Sequence, residues 1–501
     1  MAQTRHLTMT PGAVPSLDAI LKAQAARNPS AFALIDAPDC ERVTGLAPRR
    51  LNYLQTDRAV DAIAARLREI GLPPGTVVGI QLPNVTVGIL TLLAVMRAGM
   101  IPAPLPLLWR RNECVSALSA AGARAIIVCG RVADCDHAAL ALEIAAELFP
   151  IRAVCGFGCD ADDGIVPLDD CLNVTDEHPD VILFATEDRP RDALITFDLT
   201  VDGIVPMVRD CARLLAGGRL IRQRVGIADG AVILSTLPAT TYAGLSAALV
   251  PGLLSAATLV LHLPADPELM RDQIVQERCD TIVVPDAMLA MLGGSDWLET
   301  GPVRNVVAVW RAPERFASAA QWTNLDVTLV DAVAFGETAL LAVRRPPGGR
   351  TAPWPDGPIA IAEGGPECAH VAPTQTGTVA VRGLFAASPY DPFAAAADRK
   401  ADGAGGHIDT GYPCRRIADG ALIVTAPPKG MVCVGGYRFA MNDLQHIIRS
   451  IDGSGVLAAL PHTLTGHRLA GHASKAASIR DILQTMGMNP LLTEAFGERG
   501  A

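Results

Sequence analysis

Lysine is the charged residue that this 501-residue chain uses least: it occurs at Lys22, Lys400, Lys429 and Lys475, whereas lysine and arginine together number 42. We interpret the bias as genomic composition, and it leaves four candidates for any chemistry that requires an ammonium group. Basic residues nowhere form a run of five, and the formal net charge is −10. Because an acidic surface repels nucleic-acid phosphates, a nucleic-acid partner is not expected.

Patterns of metal-binding and redox residues are also missing. The closest cysteine pairs, Cys129/Cys135 and Cys155/Cys159, lack the two-residue spacing typical of zinc knuckles and redox pairs. Histidines such as His370 are isolated in the sequence, so no metal site is predicted. The chain also has no Gly-x-Ser-x-Gly nucleophile elbow, no His-Glu-x-x-His pair and no complete Walker loop.

Targeting signals are not visible either. The amino-terminal stretch MAQTRHLTMTPGAVPS has no apolar segment of the kind that a secretory signal requires. The scattered cysteines are typical of unpaired thiols in a reducing compartment. These two features predict a cytoplasmic protein.

Apolar residues are plentiful: 50% of the chain is hydrophobic, 19% is charged and the mean hydropathy is +0.30. This composition excludes intrinsic disorder, because so much apolar surface does not stay solvated. The length predicts two to four domains with large buried cores.

One apolar stretch has two interpretations. No Asp, Glu, Lys or Arg occurs from Gly230 to Ala265, and a window of that length is formally a transmembrane candidate. Pro251-Gly252 interrupts it, however, and its second half is rich in β-branched residues, as buried strands are. We therefore predict a strand, a turn, a short helix, a turn and a strand within a large core, and no membrane span.

Helical and strand patterns alternate along most of the chain, which favours an α/β fold with largely parallel strands. An amphipathic helix is predicted over Tyr53–Ile70. Buried strands are predicted at Val77–Leu82, Ala123–Cys129, Val181–Phe184, Ala193–Phe197, Ala231–Leu234 and Thr281–Val284. A β-rich part follows the Pro/Gly-rich stretch at 344–358. After a shift in composition near residue 426, a short α+β unit is predicted, so we divide the chain into a large domain (1–425) and a small one (426–501).

The order of these pieces resembles the adenylate-forming superfamily of acyl-CoA synthetases, luciferases and peptide-synthetase adenylation domains. The resemblance runs from about Leu17 to Pro461 and is carried by five stretches. They are residues 51–113, whose helix, strand and helix look like the family's opening; ILSTLPATTYAGLSAALVPGLLSAATLVL; VRNVVAVWRAP; VDAVAFGETALL; and GHIDTGYPCRRIADGALIVTAPPKGMVCVGGYRF.

The resemblance implies a reaction. Members join a carboxylic acid to ATP, form an acyl-adenylate and pyrophosphate, and commonly pass the acyl group to a thiol, often on an acyl-carrier partner. This requires a loop of N–H groups around the phosphates, a carboxylate that holds Mg²⁺, an acidic group on the ribose and a mobile lysine.

The phosphate loop departs most from the family pattern. Thr200 and Gly203 are the residues that suit nucleotide binding there. Asp198 and Asp202 place negative charge where phosphates should lie, and two unit charges at 4 Å repel by about 4 kcal/mol at an effective dielectric constant near 20. The family's lysine position is Pro206, so we expect this loop not to hold triphosphate in the usual way.

The acyl pocket and the adenine strand are altered as well. The histidine that gates the acyl pocket in the family is Thr241 here. Arg311 replaces a glycine, so a guanidinium enters the space where nucleotide and acyl group would meet. Ala312 and Pro313, which are nucleotide-binding positions in the family, are kept.

The next motif keeps the nucleotide positions Phe335 and Gly336, and it keeps Thr338, but Ala339 stands at the metal-binding glutamate. Glu337 lies two residues earlier and would share a face with that position in an extended segment. Glu337 and Thr338 are therefore the candidate catalytic residues, although a solvated surface carboxylate is the alternative interpretation of Glu337. No metal ligand is assigned.

The ribose motif keeps Thr410 and Gly411, whereas its aspartate is Tyr412. The hinge arginine is replaced by Pro427, and a proline stiffens a pivot. The catalytic lysine has no counterpart: His467 stands at the nearest matching signature, and the chain ends before the family's usual final segment would finish.

Three hypotheses remain. The first is an acyl-CoA-synthetase-like protein with severely reduced or no adenylation activity, which keeps a small-molecule or acyl pocket or serves a pathway enzyme as a non-catalytic partner. The second is a divergent working acid–thiol ligase with Glu337 as metal ligand and Arg311 or Lys429 as phosphate cation. ATP, AMP and Mg²⁺ are cofactors only in that second case.

The third hypothesis is a scaffold without a pocket. An open cavity lined by Thr241, Ala312 and Phe335 would favour binding, whereas a cavity filled by Arg311 and Tyr412 would favour the scaffold.

Overall fold

A computed structural model describes residues 14–159, 164–173, 192–263, 266–294, 297–392 and 406–497. The strand predicted at Val181–Phe184 lies outside these residues. The other predicted strands are confirmed to within three residues at either end, and the helix predicted from Tyr53 begins there.

The helices lie between the strands for most of the chain. They are α1 (Leu17–Arg27), α2 (Cys40–Thr44), α3 (Tyr53–Glu69), α4 (Thr86–Arg97), α5 (Arg111–Ala120), α6 (His137–Glu147), α7 (Cys211–Val225), α8 (Tyr242–Gly244), α9 (Val250–Leu254), α10 (Pro267–Glu277), α11 (Leu289–Gly293), α12 (Trp297–Thr300), α13 (Met441–Ile451), α14 (Ala476–Thr485) and α15 (Pro490–Thr493).

The strands are β1 (Phe32–Ile35), β2 (Arg50–Asn52), β3 (Val77–Gln81), β4 (Ile101–Pro104), β5 (Ala125–Cys129), β6 (Arg131–Val132), β7 (Cys135–Asp136), β8 (Ala153–Phe157), β9 (Val166–Pro167), β10 (Asp192–Thr200), β11 (Gly203–Asp210), β12 (Val232–Ser235), β13 (Thr258–Leu261), β14 (Thr281–Pro285), β15 (Asn305–Trp310), β16 (Thr328–Phe335), β17 (Ala339–Arg344), β18 (Gly357–Ala360), β19 (Glu367–Pro373), β20 (Thr378–Gly383), β21 (Ser388–Pro389), β22 (Ile408–Arg416), β23 (Leu422–Val424), β24 (Met431–Val434), β25 (Tyr437–Ala440), β26 (Val456–His462) and β27 (Gly466–His472).

Two mostly parallel sheets form the centre of the molecule. One has the order β17-β16-β15-β14-β12-β13-β1-β2, with antiparallel strands at both edges, and the other is the parallel sheet β4-β3-β5-β8-β9. Their strands are buried on both faces because helices cover them, which explains the near-continuous apolar sequence of each strand. The predicted α/β class is confirmed.

The β-rich part after residue 344 is also confirmed. It forms the antiparallel sheet β18-β19-β20-β22-β23, while β10, β11 and β21 form a small sheet of their own. Residues 426–497, which we call the C-terminal segment, hold two hairpins and the helices α13 to α15 around a separate hydrophobic cluster.

The apolar stretch from Gly230 to Ala265 forms β12, a helix and β13, as predicted, but Pro251 does not end that helix. The helix runs unbroken from Tyr242 to Leu254 and contains a π-helical turn at Leu245–Leu249. A proline lacks the N–H that an α-helix uses and crowds the carbonyl of the preceding turn, and a wider turn accommodates both. Among the described residues, no helix is long and apolar enough to cross a membrane.

Candidate functional site

The segment expected to form the phosphate loop is a tight hairpin. Strands β10 and β11 pair from Asp198↔Val205 through Thr200↔Gly203, which leaves a two-residue turn. The Thr200 hydroxyl donates to the Gly203 carbonyl (3.1 Å) and accepts from the Asp202 N–H (3.2 Å). A phosphate cradle needs N–H groups that converge on one point, whereas a ladder directs them alternately across and away from the partner strand. Thr200 and Gly203 therefore close a turn here.

Asp198 lies two residues before the turn of this hairpin and is buried. One carboxylate oxygen accepts from Nη1 of Arg438 at 2.5 Å, and the other accepts from the backbone N–H of Glu337 at 2.9 Å. Arg438 belongs to β25 of the C-terminal segment. The negative charge expected to repel phosphate is thus neutralised within the protein.

Arg438 also reaches the ribose motif. Its Nη2 donates to the Tyr412 hydroxyl at 2.5 Å, and the Tyr412 ring packs edge-on against Phe335 with centroids 5.5 Å apart. Burial alone would lower the pKa of Arg438, but Asp198 and Tyr412 outweigh it and raise that pKa. Tyr412 therefore fills space beside Phe335 and holds the arginine.

The other ribose-motif residues support this strand. The Thr410 hydroxyl donates to the Val379 carbonyl at 2.7 Å, and the Gly411 N–H donates to the Asp409 carboxylate at 2.8 Å. Gly411 has a φ of 73°, a left-handed conformation that glycine adopts without strain. These two residues shape the backbone next to Tyr412.

Glu337 does not lie in an extended segment, and both sequence-based interpretations of it need correction. It sits in the hairpin turn between β16 and β17, and it is 2% exposed rather than solvated. One carboxylate oxygen accepts from the Tyr242 N–H at 2.9 Å, and the other lies 3.5 Å from Nη2 of Arg311. Burial raises the pKa of Glu337, and the nearby guanidinium groups of Arg311 and Arg209 oppose that rise.

Arg209 is a fully buried cation beneath Glu337. Its guanidinium lies 3.8 Å from the centroid of the Tyr242 ring, and it donates to the Thr196 hydroxyl at 3.0 Å and to the Glu337 carbonyl. Burial lowers the pKa of Arg209. Tyr242 and Arg209 thus occupy the space behind the Glu337 turn.

The two residues assigned to the acyl pocket lie on either side of the Glu337 carboxylate, and their side chains have different contacts. Thr241 is buried, and its hydroxyl caps the following helix by accepting from the Gly244 N–H at 3.1 Å. Arg311 extends towards the C-terminal segment, where it packs against Gly436. Ala312 and Pro313 are buried at the start of a 3₁₀ turn.

Thr338, the second candidate catalytic residue, faces Asp198. Its hydroxyl lies 3.5 Å from the carboxylate oxygen of Asp198 that also accepts from Glu337. Gly336 has a φ of 60°, and a Cβ there would collide with Asp198 and Arg438. A side chain at position 336 would therefore require the ion pair to shift.

The charges of this cluster balance. Asp198, Glu337, Arg209, Arg311 and Arg438 lie within one connected set of contacts, and the buried carboxylate of Glu314 faces Arg438. Burial raises the pKa of Glu314, whose two oxygens have no hydrogen-bond partner among the described residues. Three acidic and three basic side chains thus neutralise one another without a ligand.

MgATP, which the resemblance implies, does not fit this arrangement. Mg²⁺ needs carboxylate oxygens that are free to coordinate it, and those of Glu337 are engaged by Tyr242 and Arg311. The triphosphate needs a cradle, and Thr200 and Gly203 instead pair across a hairpin. No chemical step through MgATP is therefore derived.

The C-terminal segment contacts the large part of the chain at a second place. The Asn489 N–H donates to Oε1 of Glu113 at 3.0 Å, the Asn112 N–H donates to the Gly487 carbonyl at 3.0 Å, and Arg111 donates to the Thr485 carbonyl at 3.1 Å. Burial raises the pKa of Glu113 to about 7.

Sequence reasoning did not single out Arg438, Arg209 or Tyr242. Arg438 lies in the last of the five stretches that resemble the family, but its partner Asp198 is 240 residues away in the sequence. A local signal for that contact does not exist. The fully buried Arg209 has one available signal: it lies near the end of the mostly apolar strand β11, where a buried cation needs a partner.

Comparisons with known proteins agree with this fold. The family model "AMP-binding enzyme" matches residues 21–164. The 2-hydroxy-7-methoxy-5-methyl-1-naphthoate–CoA ligase of Streptomyces carzinostaticus is 24% identical, over 92% of this chain and 86% of that protein. The salicyl-AMP ligase/salicyl-S-ArCP synthetase of Mycobacterium tuberculosis is 26% identical, over 91% of this chain and 80% of that protein.

Two solved structures share the architecture. The apo structure of MbtA from Mycobacterium smegmatis matches with a TM-score of 0.64 at 21% identity. The match covers 96% of this chain and 90% of the MbtA chain. The amide bond synthetase McbA from Marinactinospora thermotolerans matches with a TM-score of 0.70 at 16% identity. The match covers 95% of this chain and 94% of the McbA chain.

The amino-terminal part of the chain thus matches the AMP-binding enzyme family, and the whole fold is similar to that of the adenylate-forming superfamily. It is similar to acyl- and aryl-acid ligases within that superfamily.

Proposed function

We propose that this chain is an acyl-CoA-synthetase-like protein that does not catalyse adenylation at a useful rate. The observation that carries the proposal is the contact of Arg438 with both Asp198 and Tyr412, in the place where the family binds phosphate and ribose. We also propose the division into a large domain (1–425) and a small domain (426–501), which the separate hydrophobic cluster of the C-terminal segment supports.

The energetic argument concerns the transition state of adenylation. Loss of one preorganised electrostatic group commonly raises the barrier by about 3–4 kcal/mol, and linked losses are not additive. This chain has Pro206, Ala339 and Tyr412 at three such positions, and no counterpart of the terminal lysine. Two independent losses already slow turnover by several orders of magnitude.

A scaffold or partner role is favoured over a retained pocket. Thr241, Ala312 and Phe335 are each less than 9% exposed, and Tyr412 and Arg438 pack beside Phe335. A ligand in this place would have to displace a buried ion pair. We therefore propose a non-catalytic partner of a pathway enzyme in preference to a small-molecule carrier.

A divergent working ligase is the second candidate. Arg311 keeps 29% of its side chain exposed, and Lys429 is exposed next to Gly430, which faces Val201 at the tip of the hairpin. Rearrangement of the C-terminal segment could then bring cations to a phosphate. In that case the substrate would be an aromatic carboxylic acid, since the relatives named above are ligases of a naphthoate and a salicyl group, and the acceptor would be CoA or a carrier protein.

Carboxylate-dependent exchange of pyrophosphate into ATP distinguishes the two candidates. The panel comprises salicylate, hydroxynaphthoates, benzoate and straight-chain fatty acids, with the full chain and Mg²⁺ present. The proposal expects exchange no faster than without protein. Robust exchange with any acid, abolished by Glu337→Ala, would establish the second candidate instead.

A further inference from the structure

Two histidines meet on the surface of the antiparallel sheet, away from the site described above. Nδ1 of His370 and Nε2 of His407 lie 3.2 Å apart, and the two rings are inclined by 80°. This contact corrects the expectation that the histidines are isolated. His370 is half-buried and His407 is exposed, so both rings can be reached from solvent.

The strand register places the pair in one row across three strands. His370 on β19 pairs with Arg382 on β20, and Val381 pairs with Ile408 on β22. Continued by one residue, that register sets His407 beside Arg382. Residues opposite one another on neighbouring strands share a face of the sheet, so both imidazoles project from the face that Arg382 occupies.

The row holds Arg382 and the two histidines, and the charge of Arg382 is paired with Glu367, with Nη2 3.0 Å from Oε1. A neutral imidazole is the form that ligates a metal.

The separation of the two nitrogens suits a shared ion. Two histidine nitrogens bound at 2.0–2.1 Å to a tetrahedral zinc ion lie about 3.3 Å apart. The observed distance is 3.2 Å. A hydrogen bond between two neutral rings gives a similar distance, with one ring as donor and the other as acceptor.

We propose that His370 and His407 form a two-histidine site for a borderline divalent transition-metal ion such as Zn²⁺. No group of three ligating side chains occurs among the described residues, so water completes the coordination. The ion joins β19 to β22, the strand that carries Thr410 and Tyr412 into the central cluster. The site is independent of the proposed function.

Calorimetric titration of the full chain with ZnCl₂ at neutral pH tests this proposal. The thiols are first blocked with N-ethylmaleimide, because half-buried cysteines such as Cys368 and Cys414 would compete for the metal. We expect one ion per chain, with an affinity that falls at least about tenfold in His370→Asn and in His407→Asn, since each substitution removes one of two protein ligands.

His446→Asn is the matched control, because His446 is an exposed histidine on α13 in the C-terminal segment. This variant should bind zinc as the unsubstituted chain does. Zinc should also raise the unfolding temperature of the unsubstituted chain and of the control, but not of the two site variants. Absence of saturable binding at millimolar zinc, or equal binding by all four proteins, would overturn the proposal and leave a hydrogen-bonded pair of rings.

Discussion

The guanidinium of Arg438 donates to the carboxylate of Asp198 at 2.5 Å, and this contact joins the C-terminal segment to the β10–β11 hairpin close to its turn. The side chains are 9% and 5% exposed. In a buried pair each charge depends on the other, because neither is hydrated well enough alone. The pair therefore holds the C-terminal segment against the β10–β11 hairpin, where we propose that the nucleotide site of the family is closed.

We expect Arg438→Gln and Asp198→Asn each to lower the free energy of unfolding by about 3 kcal/mol, because removal of one partner leaves an uncompensated buried charge. The double variant should lose less than the sum of the two. Urea unfolding of the four proteins, analysed as a double-mutant cycle, measures the coupling.

Arg42→Gln is the control for this cycle. Arg42 pairs with Asp39 at 2.6 Å, but its side chain is 67% exposed, so its loss should change stability by less than about 1 kcal/mol. Strict additivity of the Arg438 and Asp198 substitutions would show that the pair contributes nothing.

Gly336→Ala should destabilise the chain for two reasons. Position 336 has a φ of 60°, and the added Cβ would collide with Asp198 and Arg438. Gly45→Ala shares the left-handed backbone, with a φ of 71°, but has open space around it. The control should lose about 1–2 kcal/mol for the backbone alone, and Gly336→Ala clearly more. Equal losses in thermal unfolding would mean that the ion pair yields to the methyl group.

Glu337 is expected to be an anchor of the fold. Glu337→Ala removes the acceptor of the Tyr242 N–H and the partner of Arg311, and we expect a loss of about 3 kcal/mol. Glu337→Gln, which keeps one oxygen for that N–H, should lose less. Equilibrium unfolding compares the two variants, and equal stability of both with the unsubstituted chain would contradict the anchor role.

Glu113 predicts a pH dependence of stability. Its pKa rises from an ordinary value of 4.5 to about 7 in the folded chain, so between these values the folded state binds the proton more tightly than the unfolded state. The contribution is fully present below about pH 4.5 and is lost as pH rises through about 7, with a span of roughly 1–3 kcal/mol.

The measurement is the difference in unfolding free energy between the unsubstituted chain and Glu113→Gln at several pH values. Glutamine does not titrate, and it keeps one acceptor for the N–H groups of Arg110 and Asn489. The difference should change sharply between pH 5 and pH 8. A flat difference across that range would contradict the role of Glu113.

Sequence patterns predicted most of the scaffold because the signals are local. A run such as Ala125–Cys129 is apolar throughout since both faces of its sheet are covered. The order strand, helix, strand predicted for the apolar stretch is confirmed, but the sequence does not show that the helix continues through Pro251, where a π-helical turn accommodates the proline.

The candidate site was less predictable because its contacts are distant in sequence. The sequence marks Asp198 as a negative charge in the wrong place, yet only the fold brings Arg438 to it. The interpretation of Glu337 failed on local geometry: an extended segment was assumed, and Gly336 instead begins a turn that buries the carboxylate. The roles assigned to the remaining site residues stay predictions.

Binding of MgATP to the full chain, measured by calorimetry, tests the central claim most directly. We expect no saturable heat at millimolar MgATP, because under the proposed function Arg438, Tyr412 and the closed hairpin fill the family's nucleotide site. Arg438→Gln tests whether removal of the arginine alone admits it, and we expect no tight binding there either, since Ala339 and Pro206 remain. Saturable micromolar binding by the unsubstituted chain, abolished by Glu337→Gln, would contradict the account.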